Sequence, residues 1–161
     1  LILSLILNQV VFNCLNASFN TEPKYSPDMK TIVTICEGKE AVGFNICIID
    51  VSTGKRTRLT DREGFHQAFF SPTGDKIVFS HTKPSIIGRS KYGLYTMNLD
   101  GSNQTLLLNW RTTIMGFSSD GNYIILRRMT DENPYYGDIY IMDIGTQHLL
   151  HLVYFDYGFI E

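Results

Sequence analysis

Four histidines, His66, His81, His148 and His151, are the side chains of this chain best suited to acid–base or metal chemistry, and their spacing limits that idea. A divalent ion needs several such ligands converging on one point. His148 and His151 are separated by an odd number of positions, which puts their rings on opposite faces of an extended segment. A structural or surface role is therefore expected for each histidine, with no catalytic residue, no metal and no cofactor. The sequence has no Gly-x-Ser-x-Gly nucleophile elbow, Walker loop, dinucleotide fingerprint or EF-hand loop. A second set carries recognition chemistry instead: Arg62, Lys83, Arg89, Lys91 and Arg111, interleaved with Trp110, Tyr135 and Tyr136. Cations beside aromatic rings suit an anionic or carbohydrate ligand, or a protein partner held by arginine and aromatic anchors. Arg62, His66, Lys91, Trp110, Arg111, Tyr135 and Tyr136 are the candidate binding residues.

Residues this far apart in sequence meet only if a repeated scaffold brings them together, and the chain contains one. Tyr25-Ser26-Pro27-Asp28-Met29 aligns with Phe70-Ser71-Pro72-Thr73-Gly74 and with Phe117-Ser118-Ser119-Asp120-Gly121, the serines lying 45 and 47 residues apart. A second block, residues 46–51, 94–99 and 139–144, recurs with Asp50, Asn98 and Asp143 spaced by 48 and 45. Two independent blocks thus share one period, the sign of a repeat architecture. Each aromatic-Ser-Pro block ends one strand in a tight turn and is followed at once by another. Residues 76–80 and 123–127 are β-branched or aromatic runs, residues 93–99 and 138–144 form a third strand, and 56–60 and 104–108 a fourth. Four antiparallel strands per repeat, with no helical period after Ser18, make an all-β protein of β-propeller blades. The middle blade packs on both sides, so Phe70, Ile77, Phe79, Leu94, Tyr95, Met97 and Leu99 are expected to be mostly buried. The loops at residues 37–43, 61–66, 81–91, 109–112 and 130–137 then emerge on one face and gather the candidate residues there.

These motifs resemble the TolB-like family of propeller repeats, whose units read aromatic-Ser-Pro-Asp-Gly, an apolar strand, Ile-Tyr-x-x-Asn/Asp-x-Asp-Gly and a Leu-Thr ending. The likeness covers residues 21–152 and is closest at 70–101, with Leu59-Thr60 supplying the ending of the first unit. The third unit departs at Ser119, where the family has proline, and at Gly145, in place of Asp-Gly. The resemblance implies a partial propeller: blades at about 19–61, 62–109 and 110–153, and the start of a fourth at 154–161. It is compatible with a non-enzymatic, extracytoplasmic, periplasmic-type binding module. The alternative to that favoured reading is the propeller portion of an enzyme. One such enzyme is a polysaccharide lyase, since His66-Gln67 with His81 resembles the metal-ligand region of oligogalacturonate lyases. The other is a serine peptidase of the prolyl-oligopeptidase type whose catalytic domain lies elsewhere.

Composition narrows the partners. The 161 residues carry a formal net charge of −2, which lacks the broad basic field of a nucleic-acid binder. The stretch 1–18 is apolar and uncharged but is interrupted by Asn8, Gln9, Asn13 and Asn16. It suits a signal-peptide remnant better than a stable membrane span, or else strands of a preceding blade. Cys14, Cys36 and Cys47 form neither a disulfide framework nor a zinc knuckle by spacing. Cys36 and Cys47 flank a hairpin and are expected to be buried free thiols.

Overall fold

The computed structural model describes residues 23–37, 44–61, 64–83, 91–130 and 137–153. All twelve of their regular elements are strands. They run β1 (Lys24–Tyr25), β2 (Thr31–Glu37), β3 (Phe44–Asp50), β4 (Arg56–Arg58), β5 (Phe65–Phe70), β6 (Lys76–Lys83), β7 (Lys91–Asn98), β8 (Thr105–Leu108), β9 (Thr112–Phe117), β10 (Tyr123–Arg128), β11 (Ile139–Asp143) and β12 (Leu149–Val153). They form three antiparallel meanders, β1 to β4, β5 to β8 and β9 to β12, each strand bonded to the next in sequence. No described helix is long and apolar enough to cross a membrane.

The repeated serine block is structural. Ser26, Ser71 and Ser118 each close the turn twice, their N–H donating to the carbonyl of Thr31, Lys76 or Tyr123 and their hydroxyl accepting that same residue's N–H. Asp28 and Asp120 accept from the serine hydroxyls, and Asp75 from Thr73 first and Ser71 second, which holds all three carboxyls below their ordinary value. Successive turns also stack. A Cβ on Gly121 would come within 2.9 Å of Pro72, and one on Gly74 within 3.3 Å of Pro27. Both glycines sit at positive φ, 76° and 77°, so the proline of one blade covers the glycine of the next. Met29 occupies the equivalent position at φ 61°.

Side-chain alternation along the strands builds two cores. Ile77 and Phe79 of β6 join Val33, Ile35, Ile46, Phe65, Phe70 and Met97 between the first and second sheets. Val78, one position out of phase, joins Leu94, Ile114, Ile124, Leu126 and Met142 between the second and third. A sheet packed on both faces needs an almost continuous apolar strand, which is what β6 supplies. On the side of the third sheet turned away from the second, Tyr123 and Leu150 are exposed.

Two expectations need correction. Leu99 is 40% exposed: it falls one residue past β7, in the turn closed by the Gly101 N–H on the Asn98 carbonyl, so it leaves the sheet face. Tyr95 is only half-buried, but its ring stacks on Phe79 at 5.5 Å. Cys36 and Cys47 are not free thiols; they form a disulfide. In the β2–β3 register Cys36 lies opposite Asn45 and Thr34 opposite Cys47, so the two cysteines are diagonal neighbours on one face. That offset sets their Cα atoms 5.9 Å apart, within ordinary bridging distance.

Candidate functional site

At the end of the blades opposite the serine turns, a cleft of about 460 Å³ opens between the second and third sheets. Its walls come from the start of β5 (His66, Gln67), the end of β6 (Ser80, His81, Thr82), the start of β7 (Tyr92, Gly93), the inter-blade connection (Trp110, Arg111), β9 (Thr112, Thr113) and Met129.

His66 owes its position to a register shift. Phe65 pairs with His81 but Gln67 with Ser80, leaving His66 as the extra residue of a bulge at the start of β5. Bulges re-aim side chains at the rims of sheets. The His66 ring reaches Thr82, Nε2 to Oγ1 at 2.8 Å. Partial enclosure by the cleft walls, then the nearby His81 and Arg111, push its pKa below the ordinary 6.5, although the residue as a whole stays solvent-exposed. Gln67 is occupied structurally: its Oε1 accepts the Ile114 N–H at 2.8 Å and its amide donates to the Ile114 carbonyl at 3.5 Å. It thereby clamps β9 to β5. His81 packs its ring against Phe65 and Tyr95, with centroids at 4.5 and 6.0 Å. His151 stacks on Tyr140 and lies 3.3 Å from Asp138. Among the described residues no three His, Cys, Asp or Glu side chains gather as metal ligands.

The charged and aromatic groups are arranged as stacks. The Arg111 guanidinium lies over the Tyr92 ring at 5.2 Å, and that of Arg128 over Trp110 at 4.4 Å. Trp110 meets the Tyr140 edge at 5.2 Å. No described carboxylate pairs with either arginine, and among the described residues no acidic one lines the cleft. Thr112, only 6% exposed, carries a hydroxyl without a described hydrogen-bond partner.

Of the sequence candidates, His66, Trp110 and Arg111 therefore meet in one cleft. Lys91 does not line it; it is exposed at the end of the β6–β7 hairpin, in register with Lys83. Arg62, Tyr135 and Tyr136 lie outside the described residues, as do residues 1–18 with Cys14, and the expected fourth-blade start. Sequence reasoning missed Tyr92, Arg128 and Thr112. The signal for Arg128 was available in part, since it ends β10 on the same side of the sheet as Leu126 and Ile124, next to the connection that carries Trp110.

No protein-family model matches the chain, and no curated protein matches it. Solved structures do. TolB from Acinetobacter baumannii superposes with a TM-score of 0.64 at 24% identity, over 83% of this chain and 32% of that one. A putative TolB from Agrobacterium tumefaciens gives 0.67 at 20%, over 85% and 50%. The fold is that of a partial TolB-like β-propeller. The chain spans at most half the length of these neighbours. The uncomplexed acylaminoacyl peptidase of Pyrococcus horikoshii shares the blade architecture more distantly, with a TM-score of 0.56 at 15% identity over 82% of this chain and 24% of that one. At these identities the likeness is one of fold, and any function has to be argued from the cleft.

Proposed function

We propose that this TolB-like chain is a non-enzymatic binding module, acting outside the cytoplasm, that docks a protein partner in the cleft between its second and third blades. The observation that carries the reading is the convergence of Trp110, Arg111 and Tyr92 from two blades on an open cleft, because aromatic and arginine anchors dominate interface energetics. Gln67 and His81 are engaged in packing, which favours recognition over the lyase-like metal chemistry. The Cys36–Cys47 disulfide supports an oxidising compartment. The test is partner capture from an extracytoplasmic extract of the source organism. Trp110→Ala and Arg111→Ala should each weaken capture by about 2 kcal/mol, the size of a hot-spot truncation. Asp75→Asn and Asn122→Ala, on the serine-turn face, should leave it unchanged, and the reverse pattern would put the binding surface on that face.

The likeness to acylaminoacyl peptidase favours a second reading, in which these blades belong to a serine peptidase. Labelling of the native polypeptide by a fluorophosphonate probe, after recovery with an antibody to this chain, would establish it.

A further inference from the structure

Resting on the binding reading above, we propose that the cleft reads a carboxylate of its protein partner, gripped by Arg111, with Arg128 stacked on the Trp110 that lines the cleft. Three features lead there. The first is charge: among its described lining residues the cleft holds the Arg111 cation and no acid. An arginine enclosed by neutral walls is the group for which an incoming anion is the missing partner.

The second is the way the guanidiniums are held. Arg111 lies over Tyr92 and Arg128 over Trp110, so each guanidinium is backed by a ring. The five N–H donors of a guanidinium lie in its plane, and stacking leaves those edges free for two parallel hydrogen bonds to one carboxylate. Stacking also restrains a long side chain before the ligand arrives, which lowers the entropy cost of binding. The third is the surrounding wall. Trp110, Met129 and the buried Thr112, whose hydroxyl lacks a described partner, give an acidic side chain apolar surface for its stem and one more polar group at its head.

A phosphate is less suited. Phosphate sites draw on clustered backbone N–H groups at helix N-termini or in nests, whereas much of this lining is strand whose main chain is paired in the sheets. The carboxylate can come from an aspartate or glutamate side chain or from the partner's C-terminus, and both offer the same two oxygens.

Trp110 is the single tryptophan of the chain, so its fluorescence reports directly on the cleft. The 161-residue chain would be titrated with four probes. These are acetyl-Gly-Phe-Glu-Phe-Gly-amide, its Gln counterpart, acetyl-Gly-Phe-Gly-Phe-Gly with a free C-terminus, and inorganic phosphate. Either carboxylate peptide should bind about tenfold more tightly than the Gln amide, the size expected for a charge-assisted hydrogen-bond pair. Whichever of the two prevails identifies the source. Arg111→Gln should abolish the preference, Arg111→Lys should retain a part of it and Arg128→Gln should reduce it, with urea midpoints confirming that each variant is folded.

Equal affinity of both carboxylate peptides and the Gln amide with the Trp110 response intact would overturn the carboxylate proposal and leave the binding-module reading standing. Phosphate binding as tightly as the carboxylate peptides, a preference surviving Arg111→Gln, or no response to any probe would each overturn it as well. Peptide-induced NMR shifts confined to Asp75 and Asn122 would sink both readings together.

Discussion

On its first-blade side the second blade meets its neighbour with Ile77, Phe79 and the Phe65 ring, and at the cleft level His81 lies against Phe65 and Tyr95. On its third-blade side the same strand offers Val78, then Ser80 and Thr82, and at the cleft level the neighbours are Tyr92, Trp110 and Arg111. A single strand with period-2 alternation therefore makes one aromatic junction and one that turns hydroxyl-rich toward its end. Where aromatic rings fill the level, the junction serves cohesion. Where threonines and stacked arginines stand in their place, a cleft remains, and Gln67 replaces lost apolar contact with a hydrogen-bonded clamp to β9.

The strongest test of this contrast compares the two faces of β6. Phe79→Ala, at a position 1% exposed, should cost about 3–5 kcal/mol by urea denaturation. Val78→Ala, facing the third blade, should cost about 2 kcal/mol, set by the apolar groups removed. Equal losses would mean that the two junctions contribute alike.

Gln67→Leu should come next. It leaves the Ile114 N–H without its partner in a part-buried setting, a loss of about 1–3 kcal/mol. A clamp that acts on the second junction alone should also shift Trp110 fluorescence, while Phe79→Ala should shift it less.

Turn stacking separates the junctions at the other end of the blades. Gly121→Ala would push a Cβ within 2.9 Å of Pro72, against 3.3 Å from Pro27 for Gly74→Ala. Both substitutions carry the left-handed backbone penalty of about 1–2 kcal/mol. The excess for Gly121 measures how much more tightly the second junction's turns are packed, and thermal midpoints would read it.

The smallest effect concerns His66. Its folded pKa lies below the ordinary 6.5, so the unfolded chain binds the proton more readily. The contribution of the neutral ring to stability is then fully present above pH 6.5 and is lost as pH falls from there through the folded value. His66→Gln should flatten that part of the stability profile. Arg111→Gln should raise the NMR-measured pKa of His66 slightly without restoring it, because desolvation rather than Arg111 is the larger cause.

Much of the architecture is local in origin and was readable in one dimension. Ser26, Ser71 and Ser118 close their turns with residues five positions on, and Ile77-Val78-Phe79 declares a strand covered on both sides through its own composition. Period, strand order and the end of the blades where His66, Trp110 and Arg111 gather follow from such short-range rules. The remaining features depend on register and on contacts between blades, which no local pattern encodes. A bulge at Phe65–Gln67 aims His66, a diagonal offset joins Cys36 to Cys47, and the packing of the third blade on the second lays Arg111 over Tyr92. A shift of one residue in any of these pairings would turn the side chains to the opposite face and dissolve the cleft, which is why only the tertiary structure decided it.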